Sequence, residues 1–235
     1  MIRVTIWNEY IHERELPEIA AVYPEGIHNQ IASFLSLDSE LTIRCSTLQD
    51  PDQGLSEDIL NDTDVLIYWA HCAHEEVSDE TVERVVKHIR RGMGFIGLHS
   101  AHYCKILRNI LGTTMTLNWK DDDSERLFVT CPSHPIAAGI DSVIELPDEE
   151  LYGEYFDIPK PDDVIFTGWF KSGAVFRSGV TFTRGNGHIF YFQPGHEAYP
   201  IYYNPQIQKI INNAIHWAVP TTRLTEDRDN KMYSL

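Results

Sequence analysis

Short apolar runs alternate with amphipathic helical patterns through the first half of the chain, and this alternation is what most constrains its fold. The strand-like runs are Arg3–Trp7, Leu41–Cys45, Asp64–Trp69 and Gly94–Leu98. Strands that alternate with helices pair in parallel, because each connecting helix crosses back over the sheet. We therefore predict an α/β fold with a doubly wound, mostly parallel sheet.

Helical spacing of apolar residues predicts the helices that cover this sheet. One helix is predicted around Ile27–Leu35, and a second between Ser78 and Gly92, which are typical N-terminal and C-terminal capping residues. A last helix is predicted to begin at Asn204-Pro205.

The second half of the chain is rich in β-strand patterns. The predicted strands are Leu127–Thr130, Val143–Leu146, Val164–Trp169, Ala174–Thr183 and His188–Phe192. The turn Arg184–Gly187 predicts a hairpin between the last two. We predict a flavodoxin-like sheet with an antiparallel β extension. The charged segment Asn118–Ser124 is predicted to be a solvated loop.

The chain of 235 residues, 43% of them hydrophobic, has the size of one large α/β domain. We expect residues 1–220 to form a single domain and residues 221–235 to form a C-terminal tail. The tail loses its apolar periodicity, so it is either frayed or packed on another subunit.

Composition excludes several classes of partner. The formal net charge of −16, without a basic stripe, disfavours nucleic acid and anionic membranes. No run approaches the roughly 20 apolar residues of a membrane-spanning helix. The four cysteines are widely spaced, which favours reduced thiols in a cytoplasmic protein.

The apolar run Gly94–Leu98 leads directly into a tight turn and a predicted helix that ends at Leu111, with His99 at the apex of the turn. Such an elbow projects its apex side chain from the carboxyl edge of a parallel sheet, where open α/β proteins bind ligands. Imidazole is a poor acyl nucleophile but a good metal ligand and proton carrier. We therefore expect His99 in a site whose chemistry does not use a thiolate.

Six of the eleven histidines follow the ends of predicted strands, and they form two H-x-x-H pairs among them. These residues are His12, His71, His74, His99, His102 and His196. Because parallel strands present their carboxyl ends at one edge of a sheet, we expect these imidazoles to meet in one crevice.

Converging imidazoles suit zinc or another divalent metal, since catalytic zinc sites use three protein ligands and one open position. The candidate ligands are His71, His99, His102 and His196, with Glu154 or Glu197 as a source of oxygen. The alternative is that the same imidazoles form hydrogen bonds with substrate hydroxyls or neighbouring carbonyls without a metal. A nucleotide cofactor is not expected.

Glu154 lies among aromatic residues in the segment Leu151–Asp157. Aromatic surroundings raise the pKa of a carboxyl group by desolvation, and aromatic faces stack on sugar rings. The candidate catalytic residues are His99, Glu154 and His196. The candidate substrate-binding residues are Asn8, Glu9, His12, Trp69, His74, Tyr152 and Glu197. An exposed glutamate in an aromatic strand is the alternative for Glu154.

Four blocks of the sequence together resemble the trehalose-utilisation (ThuA-like) family over roughly residues 2–220. They are Phe95–Ser100, Trp69–His71 with His74, Leu151–Glu154 and Phe190–Glu197. This family is similar in fold to the class I glutamine amidotransferases, whose elbow carries a cysteine and whose later strand supplies a histidine and a glutamate.

In this chain His99 occupies the position of that cysteine, and His196-Glu197 that of the later pair. Cys104 lies five residues beyond the apex, which is about 7.5 Å of helical rise, so it cannot replace the missing thiol. Glutamine amidotransferase activity is therefore not expected.

The resemblance implies a role in the catabolism of trehalose or related disaccharides, with sugars oxidised to a keto form by a partner dehydrogenase. It also implies a homo-oligomer. Our hypothesis is that Glu154 or a histidine moves a proton next to the sugar carbonyl while a metal polarises an oxygen. A non-catalytic sugar-binding or regulatory module and an oligomerisation scaffold are the alternatives.

Overall fold

The computed structural model describes residues 1–224. The strands in this range are β1 (Ile2–Asn8), β2 (Leu41–Thr47), β3 (Val65–Trp69), β4 (Gly94–Leu98), β5 (Asn118–Val129), β6 (Val143–Gly153), β7 (Asp163–Phe170), β8 (Val175–Arg184) and β9 (Gly187–Phe192). The α-helices are α1 (His12–Glu15), α2 (Pro17–Val22), α3 (Ile27–Leu35), α4 (Glu57–Asn61), α5 (Asp79–Arg91), α6 (Lys105–Leu111) and α7 (Pro205–Ala218).

These strands form one sheet in the order β2-β1-β3-β4-β9-β8-β7-β5-β6. The first five pair in parallel, and the remaining pairs are antiparallel. With β9 counted as the fifth parallel strand, the order is the flavodoxin-like 2-1-3-4-5. The predicted fold class, including the antiparallel extension, is confirmed.

The central strands are apolar throughout because helices cover both faces of the sheet. All five residues of β3 are buried, and they alternate between two cores. Leu66 and Tyr68 pack in the core beneath α5 and α6, whereas Val65, Ile67 and Trp69 pack in the core beneath α3 and α7.

The helix ends follow the predicted capping residues. Ser78 Oγ accepts a hydrogen bond from Thr81 N at 3.2 Å before α5, and Gly92, with a φ of +128°, follows its last turn. Asn204 Oδ1 accepts from Gln206 N at 2.8 Å at the start of α7. These bonds satisfy amide groups that a helix leaves without partners inside itself.

Two local predictions are wrong. The segment Asn118–Ser124 is not a loop but the first half of β5, which pairs with β6 through the backbone. Its register contains two irregularities, so the charged side chains do not follow a simple alternation. The helix predicted from the elbow to Leu111 is divided, because Cys104 is extended and its Sγ accepts from Leu107 N as the cap of α6.

The expected C-terminal tail, residues 221–235, lies partly outside the described residues. Within the described part, Arg223 donates to the carbonyl oxygens of Leu60 and Thr63, and Leu224 N donates to Arg91 O. None of the helices in residues 1–224 has the length and apolar character needed to cross a membrane.

Close packing of α5 on β9 predicts a sharp effect of a small substitution at Gly187. A Cβ atom at this position would lie 2.1 Å from Ile89 O, whereas one at Gly153 would have its nearest neighbours at 3.7 Å. We expect Gly187→Ala to lower the free energy of unfolding by about 2 kcal/mol, and Gly153→Ala by less than about 0.5 kcal/mol. Urea denaturation measures both; equal midpoints would contradict the packing.

Candidate active site

A cavity of about 510 Å³ lies where β3, β4 and β9 end, with the first part of β5 and the end of β6 as its wall. A pocket of this size is typical of small-molecule sites. The lining residues are His71, His74, Ser100, His102, Tyr103, Thr116, Leu117, Trp119, Asp121, Glu150, Tyr152 and His196. Five of them are predicted site residues: His71, His74, His102, Tyr152 and His196.

The elbow buries His99 completely behind the cavity wall, in contact with the lining residues Glu150 and Tyr152. Its backbone is in the left-handed region, with a φ of +53°, a strained conformation that is common at functional sites. Tyr191 donates its hydroxyl to His99 O at 2.9 Å, and His99 Nδ1 lies 3.0 Å from Gln193 O. Since a carbonyl can only accept, Nδ1 carries a proton, and Nε2 is the atom directed at the site.

Glu150 faces this imidazole from β6. Its Oε2 lies 3.0 Å from His99 Nε2, and neither buried atom has a well-aligned hydrogen bond. Burial opposes charge on His99, but contact with Glu150 and the nearby Glu149 and Glu197 raises its pKa to about 9. The pKa of Glu150 is lowered, because His99 outweighs the burial of the carboxyl group. A carboxylate on the cavity wall therefore touches an imidazolium buried behind it.

Glu197 binds two imidazoles beside this pair. Its Oε1 lies 2.7 Å from His12 Nδ1 and 2.6 Å from His71 Nδ1. These bonds outweigh burial and hold the pKa of Glu197 far below its ordinary value. The bond to Glu197 also raises the pKa of His12. The predicted residues His12 and Glu197 thus orient His71, and they are not among the residues that line the cavity.

Four side chains offer donor atoms that all lie within 4.8 Å of one another: His71, His99, His196 and Glu197. Glu197 Oε2 is buried and lacks a hydrogen-bond partner, like His99 Nε2. The Nδ1 bonds of His71 and His99 turn Nε2 of both rings away from the backbone, an arrangement typical of histidine ligands, although Nε2 of His99 also contacts Glu150. The donor set fits a divalent cation.

The predicted ligand His102 does not belong to this group. Its Nδ1 donates to Met115 O at 2.6 Å, and burial lowers its pKa to about 3. His102 is therefore a neutral imidazole on the cavity wall. His74 is neutral for the same reason, since burial lowers its pKa to about 4.

His196 has the opposite tautomer. Ala198 N donates to His196 Nδ1 at 3.0 Å, so the proton of the neutral ring lies on Nε2. Burial, together with the charge of His99, lowers the pKa of His196 to about 4. His196 thus presents a hydrogen-bond donor to the cavity.

Comparison with known families decides where the chain belongs. The family model described as ThuA, trehalose utilisation, matches residues 3–218. The chain belongs to the ThuA family. This confirms the resemblance of the four sequence blocks, and the family description supports a role in sugar catabolism. None of the curated proteins matches the chain.

Solved structures share this fold at low identity. A ThuA-like protein from Parabacteroides merdae has a TM-score of 0.68 at 15% identity, covering 95% of this chain and 92% of that chain. A cytoplasmic protein from Salmonella typhimurium has 0.64 at 14%, covering 93% and 100%. The glutaminase domain of Trypanosoma brucei CTPS, with bound acivicin, has 0.51 at 9%, covering 96% and 98%. The glutamine amidotransferase-like fold is thereby confirmed.

In this ThuA protein, three predicted substrate-binding residues lie beneath the cavity rather than in it. Glu9 accepts from Cys72 N at 2.8 Å and from Ala73 N at 3.0 Å, which fixes the loop after β3. Trp69 Nε1 donates to Gly195 O at 3.1 Å. Asn8 is fully buried and donates to Glu13 Oε1. These polar groups are engaged by protein and do not line the cavity, so the structure gives them a positioning role, and their contact with substrate stays a prediction.

Glu154 is also misplaced by the sequence prediction. Arg177 binds both of its carboxylate oxygens, at 2.7 and 2.8 Å, and Phe156 N donates to Oε2 at 2.8 Å. These contacts outweigh its partial burial and lower the pKa of Glu154, opposite to the expected increase. Glu154 does not line the cavity.

Sequence reasoning missed Glu150, Trp119 and Asp121. Glu150 could have been found, since strand alternation places it on the same face as Tyr152, two residues later. Trp119 and Asp121 were missed because their segment was interpreted as a loop.

Glu149, next to Glu150, holds the loop that carries His196. Its carboxylate accepts from Gly195 N at 2.8 Å and from His196 N at 3.3 Å. Burial raises the pKa of Glu149 to about 7, and burial together with Glu149 raises the pKa of Glu125 to about 8.

The raised pKa of Glu125 predicts a stability that falls with pH. A carboxyl group with a higher pKa in the folded state favours folding below its unfolded value, and this contribution is lost as pH rises through the folded value. As the pH rises from about 5 to about 8, we expect the denaturation midpoint of the wild-type protein to decrease. The midpoint of Glu125→Gln should decrease less over the same range. The exposed Glu25→Gln should follow the wild type. Identical slopes for all three proteins would contradict the burial effect.

Proposed function

We propose that this ThuA protein is an acid–base enzyme of sugar catabolism that acts on a keto-disaccharide. The supporting observation is the buried contact between Glu150 Oε2 and His99 Nε2, at 3.0 Å, in which Glu150 lines the cavity and His99 lies directly behind it. Two groups of opposite protonation state in contact can remove a proton and stabilise the resulting charge. The keto-disaccharide comes from the family resemblance.

In the proposed reaction, Glu150 takes a proton from the carbon next to the sugar carbonyl. Its lowered pKa keeps it ionised, and so able to accept that proton. The electron pair of the broken C–H bond moves to the carbonyl oxygen, and the positive charge of the His99 imidazolium directly behind Glu150 stabilises the negative charge that develops. Return of the proton at the neighbouring carbon gives isomerisation, whereas departure of a group on the adjacent carbon gives bond cleavage.

The remaining imidazoles suit sugar hydroxyls. His196 offers Nε2–H as a donor, and His102 offers Nε2 as an acceptor. Ser100 Oγ and the Tyr152 hydroxyl are bonded to each other at 2.7 Å on the same wall. The cavity wall therefore offers both donors and acceptors to sugar hydroxyls.

Glutamine hydrolysis is not proposed, because the site offers no reactive thiol in the nucleophile position. Cys104 is fully buried, its Sγ caps α6, and burial raises the pKa of its thiol to about 12. A thiol in this state is inert as a nucleophile.

The proposed base is tested by Glu150→Gln with Glu154→Gln as the matched control. We expect Glu150→Gln to slow exchange of the α-proton of a keto-disaccharide in deuterated water by about 10²- to 10⁴-fold, because the amide cannot accept the proton. Glu154→Gln should exchange at nearly the wild-type rate. Proton NMR measures the exchange; equal rates for Glu150→Gln and wild type would overturn the assignment.

A metal-assisted version is the second candidate, supported by the donor atoms of His71, His99, His196 and Glu197 within 4.8 Å. His71 and His99 would bind zinc or another divalent ion through Nε2, with Glu197 as the oxygen ligand. Such an ion would supply polarisation of a substrate oxygen. The donor proton on His196 would then face the substrate.

Metal content separates the two versions. For protein purified without added metal, the second candidate predicts about one divalent ion per chain by elemental analysis, and activity that a chelator removes. His71→Ala should lose the ion, whereas His74→Ala, on the same cavity but outside the cluster, should keep it. Full activity in metal-free protein would contradict the metal-assisted version and favour the version that uses only Glu150 and His99.

A non-catalytic sugar-binding or regulatory module is the alternative class. It predicts sugar binding without α-proton exchange in the wild-type protein. We further propose a cytoplasmic homo-oligomer, supplied with keto sugars by a dehydrogenase; sedimentation analysis tests the assembly.

A further inference from the structure

The cavity carries two side chains that the proposed proton transfer does not use. Trp119 lines the cavity yet is 65% exposed, and Asp121 lines it from the same strand. An exposed tryptophan forgoes much of the free energy that burial of its ring would contribute. A ligand that covers the ring would recover it.

Strand register places Trp119 next to Tyr152, whose ring contacts His99. Trp119 pairs directly with Tyr152 of β6, and directly opposed residues in an antiparallel pair project from the same face. The Tyr152 ring stacks on His99 with a centroid separation of 5.2 Å and an interplanar angle of 19°. His99, Tyr152 and Trp119 therefore form a row that leads from the reacting groups towards solvent.

The distance along this row suits a second ring. Opposed Cβ atoms in such a pair lie roughly 5 Å apart, and the Tyr152 and His99 ring centroids are 5.2 Å apart, so one side chain, Tyr152, lies between Trp119 and the His99 ring. A sugar held with one ring at Glu150 would bring its second ring next to the indole. The cavity of about 510 Å³ is within the range that encloses ligands larger than one ring.

Asp121 adds a polar contact to the apolar one. One of its carboxylate oxygens lies within 4.8 Å of donor atoms of both Glu150 and His196. Asp121 therefore borders the proposed proton-transfer groups. Carboxylates accept hydrogen bonds from sugar hydroxyls, and an aromatic face packs against the apolar side of a sugar ring. An indole next to a carboxylate offers both kinds of contact to one ring.

We propose that Trp119 and Asp121 form a subsite for the second ring of a disaccharide, which makes the protein selective for disaccharides over monosaccharides. The proposal rests on the proposed function for its choice of a sugar as ligand. Tyr152 lies between Trp119 and His99, whereas Asp121 lies beside Glu150, so the subsite continues from the proton-transfer groups to the indole and acts on affinity and selectivity.

The test is calorimetric titration with trehalose and with glucose. We expect trehalose to bind the wild-type protein, and Trp119→Ala to weaken trehalose binding about tenfold while glucose binding changes less than about twofold. Trp119→Phe should retain most of the trehalose affinity. Asp121→Asn should weaken trehalose binding about threefold, because an amide is a poorer acceptor than a carboxylate.

The matched control is Trp169→Ala, since Trp169 is also exposed on an antiparallel strand but does not line the cavity. It should bind both sugars as the wild type does. Equal losses for trehalose and glucose in Trp119→Ala would overturn the subsite, as would unchanged trehalose binding in that variant or no trehalose binding by the wild type.

Failure of the subsite and failure of the proposed chemistry have different readouts. The subsite is judged from the ratio of trehalose to glucose affinity, without turnover. The chemistry is judged from α-proton exchange in Glu150→Gln, where Trp119 is intact.

Discussion

The site depends on a buried imidazole held at a strained elbow. His99 has a left-handed backbone and no exposed surface, and it is fixed by Gln193 O, the Tyr191 hydroxyl and Glu150. An uncompensated charge in such a place would be costly, so the imidazolium requires its carboxylate partner nearby. That requirement ties the elbow of the parallel sheet to β6 of the antiparallel extension.

Buried carboxylates also hold the loops around His99 in place. Glu9 binds the amide groups after β3, Glu149 binds those after β9, and Glu197 joins two imidazoles. Each accepts from donors on the loops at this edge of the sheet, which fixes the imidazoles without using substrate contacts. The loops at this edge are therefore pre-organised by charge-assisted hydrogen bonds within the protein.

The sequence predicted the parallel half of the fold well because its signals are local. Apolar runs, helical spacing and caps such as Ser78 are set by near neighbours, and the convergence of imidazoles follows from the common direction of parallel strands. Register in the antiparallel half is set by pairing between distant segments. The local charge pattern of Asn118–Ser124 therefore predicts a loop, although the segment pairs with β6. For the same reason, the sequence favours Glu154 over Glu150 as the acid–base residue, because the pairing of Glu154 with Arg177 is not visible in it.

The two halves of the sheet therefore contribute different things to one cavity. The parallel half brings the elbow and the imidazoles, as its relation to amidotransferase-like folds implies, whereas the antiparallel half brings Glu150, Tyr152 and Trp119. A thiol at the elbow would need an activated carbonyl to attack, but an imidazole there needs only a partner to exchange a proton with. Since that partner, Glu150, lies on β6, the antiparallel extension forms part of the proposed chemical site as well as a wall of the cavity.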